Sequence, residues 1–230
     1  MNNSFVTLTV SDASQMRAYV SYPDGEPKQA IIVLQEAFGV NDYLRRVADR
    51  FAAEGYLAIA PELFHRSAGD GFEAAYGDME AVKPQMMALT DAGLEADLRA
   101  AHDWLLNDGK IASGSVSSIG FCMGGRVSYI ANSILPLKAA VSFYGGGISK
   151  MLDRVPSLQA PMLFFWGGLD KHIAAADRDA VINAMIEQNK SYTNVVFGDA
   201  DHGFFCDARP AYHQRSAEIA WPMVKEFLRG

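Results

Sequence analysis

The residues Ser118-Ile119-Gly120-Phe121-Cys122-Met123-Gly124-Gly125 join a strand of the buried type to a helical segment through the pattern Gly-x-Cys-x-Gly. This pattern is typical of a nucleophile elbow, a strand-turn-helix unit whose central residue takes a strained backbone conformation. The positions of Gly120 and Gly124 must be small because the strand and the helix pack closely there. The elbow therefore predicts that the thiol of Cys122 lies at the start of a helix, where it is accessible for reaction.

Cys122 occupies the position of the nucleophile, where serine is usual. A thiol at a helix N-terminus lies near the partial positive charge of unpaired N–H groups, which favours the reactive thiolate. A lone cysteine is more often a small buried hydrophobic residue. The strand, elbow and helix around Cys122 favour catalysis over that alternative.

An acylating thiol needs a base, and the base needs an acid to orient it. Asp170 follows a predicted strand at residues 162–166, and His202 follows one at residues 194–197. Taken singly, Asp170 is better explained as a turn or N-cap residue, and His202 as a loop histidine. With Cys122 they stand at three strand ends in the chain order nucleophile, acid, base, which is the order of an α/β-hydrolase.

The rest of the chain alternates short runs rich in β-branched and aromatic residues with helix-like stretches. Most of the runs are continuously apolar, which is typical of parallel strands buried on both faces. We therefore predict an α/β fold of the α/β-hydrolase type, a three-layer sandwich with a mostly parallel central sheet and helices on both faces. The predicted strands are residues 17–22, 30–35, 56–60, 115–121, 139–144, 161–166 and 192–197, and the predicted helices are residues 42–54, a segment within 73–89, 94–106, 125–133, 174–188 and 210–228.

Length and composition limit the classes of protein that this chain represents. Of its 230 residues 50% are hydrophobic and 20% charged, and no linker divides them, so we predict a single domain spanning residues 1–230. The net charge of −7, without a dense basic cluster, argues against a nucleic-acid partner. The first residues lack the features of a secretory signal, and no apolar run reaches about 18 residues. We expect a cytoplasmic protein with no membrane partner.

Metal and cofactor motifs are missing from the sequence. The five histidines show no His-x-x-x-His spacing, and there is no Cys-x-x-Cys pair, so we predict no metal site. Gly145-Gly146-Gly147 follows a predicted strand but lacks the residues of a phosphate-binding loop. No cofactor is predicted.

The motifs Gly-Phe-Cys122-Met-Gly-Gly, Gly-Gly-Leu-Asp170 and Asp-His202-Gly-Phe together resemble those of the dienelactone hydrolase family of α/β-hydrolases. The resemblance covers nearly the whole chain and includes the segment Gln-Glu-Ala-Phe-Gly-Val at residues 35–40. It implies that a Cys122-His202-Asp170 triad hydrolyses a small ester or lactone without a metal or an organic cofactor.

The resemblance also implies that Glu36 lies near the nucleophile and keeps its thiol poised in the resting enzyme. A carboxylate is costly inside a buried strand, so Glu36 is expected at the carboxyl end of the strand before it. The alternatives are that Glu36 caps a turn or pairs with Arg45 or Arg126. The predicted oxyanion hole uses the backbone N–H groups of Ala37 and Met123. The predicted substrate-lining residues are Tyr144, Lys83, Phe38 and Phe204.

The chain departs from the family in the arginines that are associated with binding a substrate carboxylate. Cys206 stands four residues after His202, with the next arginine only at Arg209, and the segment 73–89 contains Lys83 but no arginine. A lysine or cysteine does not provide the bidentate contact of a guanidinium. We therefore expect broader activity on neutral esters and lactones than on carboxylated ones.

Two other classes of function are compatible with the sequence. An acidified thiol is oxidisable, so the protein could respond to peroxide by pairing Cys122 with Cys206. It could also be a ligand-binding module that keeps the fold without turnover. For each function we expect a monomer or a small homo-oligomer.

Overall fold

The computed structural model describes residues 2–230. The chain folds into two compact units, one that ends at Ser117 and one that begins at Ser118. The division falls inside a strand, Val116–Phe121, that leads into the predicted elbow. That residues 1–230 form one domain stays a prediction.

The first unit contains antiparallel and parallel strands, with helices between and after them. Its elements are β1 (Asn2–Thr9), β2 (Gln15–Tyr22), β3 (Gln29–Leu34), α1 (Asp42–Ala53), β4 (Tyr56–Pro61), α2 (His65–Ala68), α3 (Met79–Ala88) and α4 (Asp91–Asn107). The strands lie in the order β1-β2-β4-β3. The β1-β2 and β2-β4 pairs are antiparallel, whereas β3 and β4 run parallel.

Burial explains where these elements form. Every residue of β4 is buried, as are all but the first of β3, which fits the continuous apolar runs of these two strands. Helix α1 begins after Asn41, whose side chain accepts a hydrogen bond from the N–H of Leu44 at 3.2 Å. Its buried residues recur at helical spacing, so that one face packs inward.

The second unit repeats a strand-helix pattern. Its elements are β5 (Val116–Phe121, begun in the first unit), α5 (Met123–Ile134), β6 (Ala140–Phe143), β7 (Met162–Gly167), α6 (Ala175–Glu187), β8 (Tyr192–Phe197) and α7 (Gln214–Arg229), with short 3₁₀ turns at Ile148–Lys150 and Leu152–Ser157. The strands β5, β6, β7 and β8 are neighbours in that order, and each pair is parallel. Their carboxyl ends therefore share one edge, where ligands of such sheets usually bind.

The structure confirms the predicted α/β fold, with mostly parallel strands and helices between them. Strand β1 and the helix α2 were not predicted. Strand β1 was missed because most of its side chains are exposed, and α2 has only four residues. In residues 2–230 the structure contains no helix with the length and apolar character needed to cross a membrane.

Candidate active site

Cys122 lies at the sharp turn between β5 and α5, and its backbone has φ 54° and ψ −116°. A positive φ is strained for a residue with a side chain, so the surrounding structure must hold it in place. The N–H of Cys122 donates to the carbonyl of Phe143 in the neighbouring strand at 3.0 Å, and its own carbonyl accepts from the N–H of Gly125 at 3.0 Å. The predicted elbow is present.

The close contact of strand and helix at this turn requires glycine. A Cβ atom added to Gly120 would lie 1.9 Å from the carbonyl oxygen of Gly124, closer than any real contact. A Cβ on Gly125 would lie 2.6 Å from the carbonyl oxygen of Phe143. Any larger residue at Gly120 or Gly125 would push α5 away from the sheet and displace Cys122.

Asp170 and His202 form a buried pair beside this turn. Nδ1 of His202 lies 2.7 Å from Oδ2 of Asp170, and the side chains are 9% and 1% exposed. The other oxygen of Asp170 accepts from the N–H of His172 at 2.7 Å, which fixes the carboxylate. The loops after β7 and β8 are joined by a hydrogen bond from the N–H of Leu169 to the carbonyl of Ala200 at 2.9 Å. Both loops therefore present their functional side chains to one point.

The electrostatics of the pair favour its charged form. Burial lowers the pKa of His202, but its hydrogen bonds to Asp170 and to Cys122 outweigh burial and raise that pKa to about 10. Burial raises the pKa of Asp170, but the hydrogen bond and charge of His202, together with the N–H of His172, hold it below its ordinary value. Cys122, His202 and Asp170 thus form one hydrogen-bonded chain, in which a protonated imidazole is stabilised on both sides.

Aromatic side chains surround His202. The ring of Tyr144 has its centroid 5.0 Å from that of His202, and Phe204 packs edge-on against Tyr144 at 5.4 Å. Both Tyr144 and Phe204 are fully buried. That they line a substrate site stays a prediction. His172, an exposed residue whose ring lies 5.1 Å from that of His202, was not predicted, although its position two residues after Asp170 was a signal for it.

Neither cysteine is in a disulfide bond, and the two thiols differ in accessibility. Cys122 is partly exposed, whereas Cys206 is fully buried.

Arg209 packs against the backbone of Gly203, the residue after His202. A Cβ atom added to Gly203 would lie only 2.5 Å from Nη1 of Arg209. In the described part of the chain, no group of three or more His, Cys, Asp or Glu side chains is arranged to hold a metal ion.

The remaining predicted residues belong to the first unit. Glu36, Ala37 and Phe38 follow β3, separated from its last residue by Gln35, and are nearly fully buried, at 3%, 4% and 4% exposure. Lys83 is exposed on α3. Glu36 lies two residues past the carboxyl end of β3. The roles of all four residues, and of the N–H of Met123 in α5, stay predictions.

Comparison with known proteins gives a consistent result. Residues 16–230 match the sequence profile described as the dienelactone hydrolase family. A Synechocystis sp. protein, provisionally named a carboxymethylenebutenolidase, is 34% identical over 209 residues, which cover 86% of this chain and 85% of the relative. A protein of Escherichia coli K12 with the same provisional name is 34% identical over 239 residues, covering 97% of this chain and 85% of the relative.

A solved structure shows the same similarity in three dimensions. The crystal structure of a Klebsiella pneumoniae protein, provisionally described as a dienelactone hydrolase, superposes with a TM-score of 0.88 at 29% identity. The match covers 100% of this chain and 99% of the other.

Proposed function

Because the chain belongs to the dienelactone hydrolase family and is therefore a hydrolase of small esters or lactones, we propose that it acts through Cys122 as a covalent nucleophile. The observation that carries this proposal is the series of hydrogen bonds from Asp170 through His202 to Cys122. Such a series supplies the three roles that acyl transfer needs: a nucleophile, a base and a group that orients the base.

In the first half of the proposed reaction, Nε2 of His202 holds the proton of the Cys122 thiol, and the thiolate Sγ attacks the carbonyl carbon of the substrate. The carbonyl electrons move to oxygen, and the oxyanion accepts hydrogen bonds from the two donors that the sequence predicts, the N–H groups of Met123 and Ala37. When the tetrahedral intermediate collapses, the carbon–oxygen bond breaks. The leaving oxygen takes a proton from Nε2 of His202, because Nδ1 is bonded to Asp170. A thioester on Cys122 remains.

In the second half, water hydrolyses the thioester. His202 takes a proton from the water as it attacks, and the carbon–sulfur bond then breaks to release the acid and restore the thiolate. With a lactone, the alcohol released first is still part of the acyl group, so the product is a single hydroxy acid. Glu36 is proposed to keep the thiol poised between turnovers.

The two thiols of the chain allow a matched test. We expect Cys122→Ala to lose nearly all hydrolysis of an aryl acetate. Cys206→Ala, which removes the other thiol, should keep this activity. Iodoacetamide should inactivate the wild type with one alkyl group added per native chain, located at Cys122 by peptide mass spectrometry, because Cys206 is fully buried. Retained turnover in Cys122→Ala would overturn the proposal.

A further inference from the structure

The predicted second oxyanion donor, the N–H of Ala37, lies in a segment with little regular structure of its own. This segment, residues 35–41, joins β3 to α1, and we call it the donor loop. A backbone N–H stabilises a developing oxyanion only when its direction is fixed before the reaction. Contacts from outside the donor loop must therefore supply its rigidity.

A second segment, residues 72–76, lies along the donor loop and bonds to its backbone; we call it the brace. Gly39 and Glu73 form an isolated antiparallel bridge, and the N–H of Ala74 donates to the carbonyl of Phe38 at 3.2 Å. Gly39 has φ +84°, and a Cβ there would lie 2.0 Å from the carbonyl oxygen of Phe72. Glycine is thus required for the brace to approach the donor loop this closely.

Arg45 in α1 ties the donor loop to the brace through its side chain. Its Nη1 donates to the carbonyl of Val40 at 2.8 Å and to Oε1 of Glu73 at 2.5 Å. The Arg45 and Glu73 side chains are 24% and 41% exposed. Ion pairs this open to solvent contribute little to global stability. The main effect of this pair is therefore local: it joins the end of the donor loop to the brace.

Tyr76 makes a second side-chain contact between the two segments. Its hydroxyl accepts a hydrogen bond from Nδ2 of Asn41 at 3.0 Å, at the last position of the donor loop. Its ring packs edge-on against Phe38, with the centroids 4.8 Å apart. Phe38 directly follows Ala37, and both are buried in one small cluster with Val82. Tyr76 therefore limits the movement of the part of the donor loop that follows Ala37.

We propose that Arg45, Glu73 and Tyr76 are positioning residues for hydrolysis, which hold the donor loop and so fix the direction of the Ala37 N–H, the predicted second oxyanion donor. None of them is assigned a contact with the substrate. The inference rests on the proposed function, because it requires a tetrahedral intermediate whose oxyanion Ala37 receives.

The test compares turnover with alkylation in Arg45→Met, Glu73→Gln and Tyr76→Phe. We expect kcat for an aryl ester to fall by about 10- to 100-fold in Arg45→Met and less in the milder variants, with KM nearly unchanged. The rate at which iodoacetamide alkylates Cys122 should stay at the wild-type value. This reaction displaces iodide from a saturated carbon of the reagent and forms no oxyanion. Arg45→Lys, which keeps a charged donor, should recover part of kcat.

Arg46→Met is the matched control, because Arg46 lies on the same helix and pairs with Asp42 within it. It should keep wild-type kcat. The proposal is overturned if Arg45→Met and Tyr76→Phe turn over like Arg46→Met, or if alkylation slows in step with kcat, which would place the effect on the thiol. Tyr76→Phe removes a single oxygen, so it decides the question even where Arg45→Met lowers Tm. Failure of the proposed function gives a different result, namely activity in Cys122→Ala.

Discussion

His202 presents Nδ1 to Oδ2 of Asp170 at 2.7 Å, with almost no solvent at either side chain. This contact fixes which ring nitrogen is left for chemistry, because Nδ1 is committed and only Nε2 can exchange a proton with Cys122 or the substrate. The same contact raises the pKa of His202, together with the hydrogen bond to Cys122 and against the effect of burial. The orientation of the proposed base thus depends on the Asp170 carboxylate, and its charge depends on Asp170 and Cys122 together.

Replacing that carboxylate by its neutral isostere should disable the base without changing its surroundings. We expect Asp170→Asn to lower kcat roughly a thousandfold with little change in KM, because the amide removes the charge and favours the wrong tautomer of His202. Steady-state kinetics on an aryl ester measure this. Asp177→Asn, which changes an exposed carboxylate bonded to Ser149, is the control and should stay near wild type. An Asp170→Asn enzyme within about tenfold of wild type would remove Asp170 from the mechanism.

The raised pKa of His202 predicts how stability depends on pH. The folded pKa of about 10 exceeds the ordinary value of 6.5, so the stabilisation of the imidazolium is complete below pH 6.5 and is lost as the pH rises toward 10. The free energy of unfolding of the wild type should therefore exceed that of His202→Gln by an amount that shrinks across this window.

Urea denaturation at pH 6, 8 and 10 measures this difference. His213→Gln is the control, because the ring of His213 contacts Ser216 and Asp199. A difference that stays constant or grows with pH would contradict the charged pair.

Glu36→Gln tests whether the buried carboxylate after β3 acts on the thiol. We expect it to change the pH dependence of Cys122 alkylation more than it changes KM, because the proposed role of Glu36 concerns the resting thiol and not the substrate. Glu62→Gln is the comparison, since Glu62 is also buried and forms an ion pair with Arg17 at 2.7 Å. An alkylation profile identical to that of the wild type would exclude Glu36 from the mechanism.

Substrate charge gives a further prediction. The segment 73–89 contains Lys83 but no arginine, and Arg209 packs on the backbone at Gly203. Because these segments supply no pair of arginines for a substrate carboxylate, we expect neutral lactones to be hydrolysed better than lactones that carry a carboxylate. A matched pair of lactones decides this by kcat/KM. A preference of about 100-fold or more for the carboxylated lactone, or about 2.7 kcal/mol, would show that another basic group binds the carboxylate.

The fold was predictable where burial dictates the sequence. Strands β3 and β4 are continuously apolar because both faces are covered, so their sequences alone identify them. Strand β1 pairs only with β2 and exposes most of its residues, and its sequence carries no such signal. Helix α3 was placed only within a range, because Val82 is its single buried residue and Pro84 interrupts its pattern.

The candidate site likewise contains residues that were predictable from the sequence and contacts that were not. Cys122, Asp170 and His202 were predictable because strand ends and a glycine-bounded turn fix their positions through the backbone. The contact between Arg45 and Glu73 joins exposed charged residues 28 positions apart, and their sequence reads as ordinary surface. Contacts of this kind depend on how loops fold over one another, which local pattern does not encode.

The most direct test of covalent catalysis by Cys122 is to trap the acyl-enzyme intermediate. The enzyme is mixed with a slowly hydrolysed aryl ester, quenched in acid within the first turnover and digested for peptide mass spectrometry. We predict an acyl group on the Sγ of Cys122, absent from Cys122→Ala and accompanied by a burst of the released phenol. Hydrolysis with no acyl group on Cys122, or with the acyl group on another residue, would contradict the proposed mechanism.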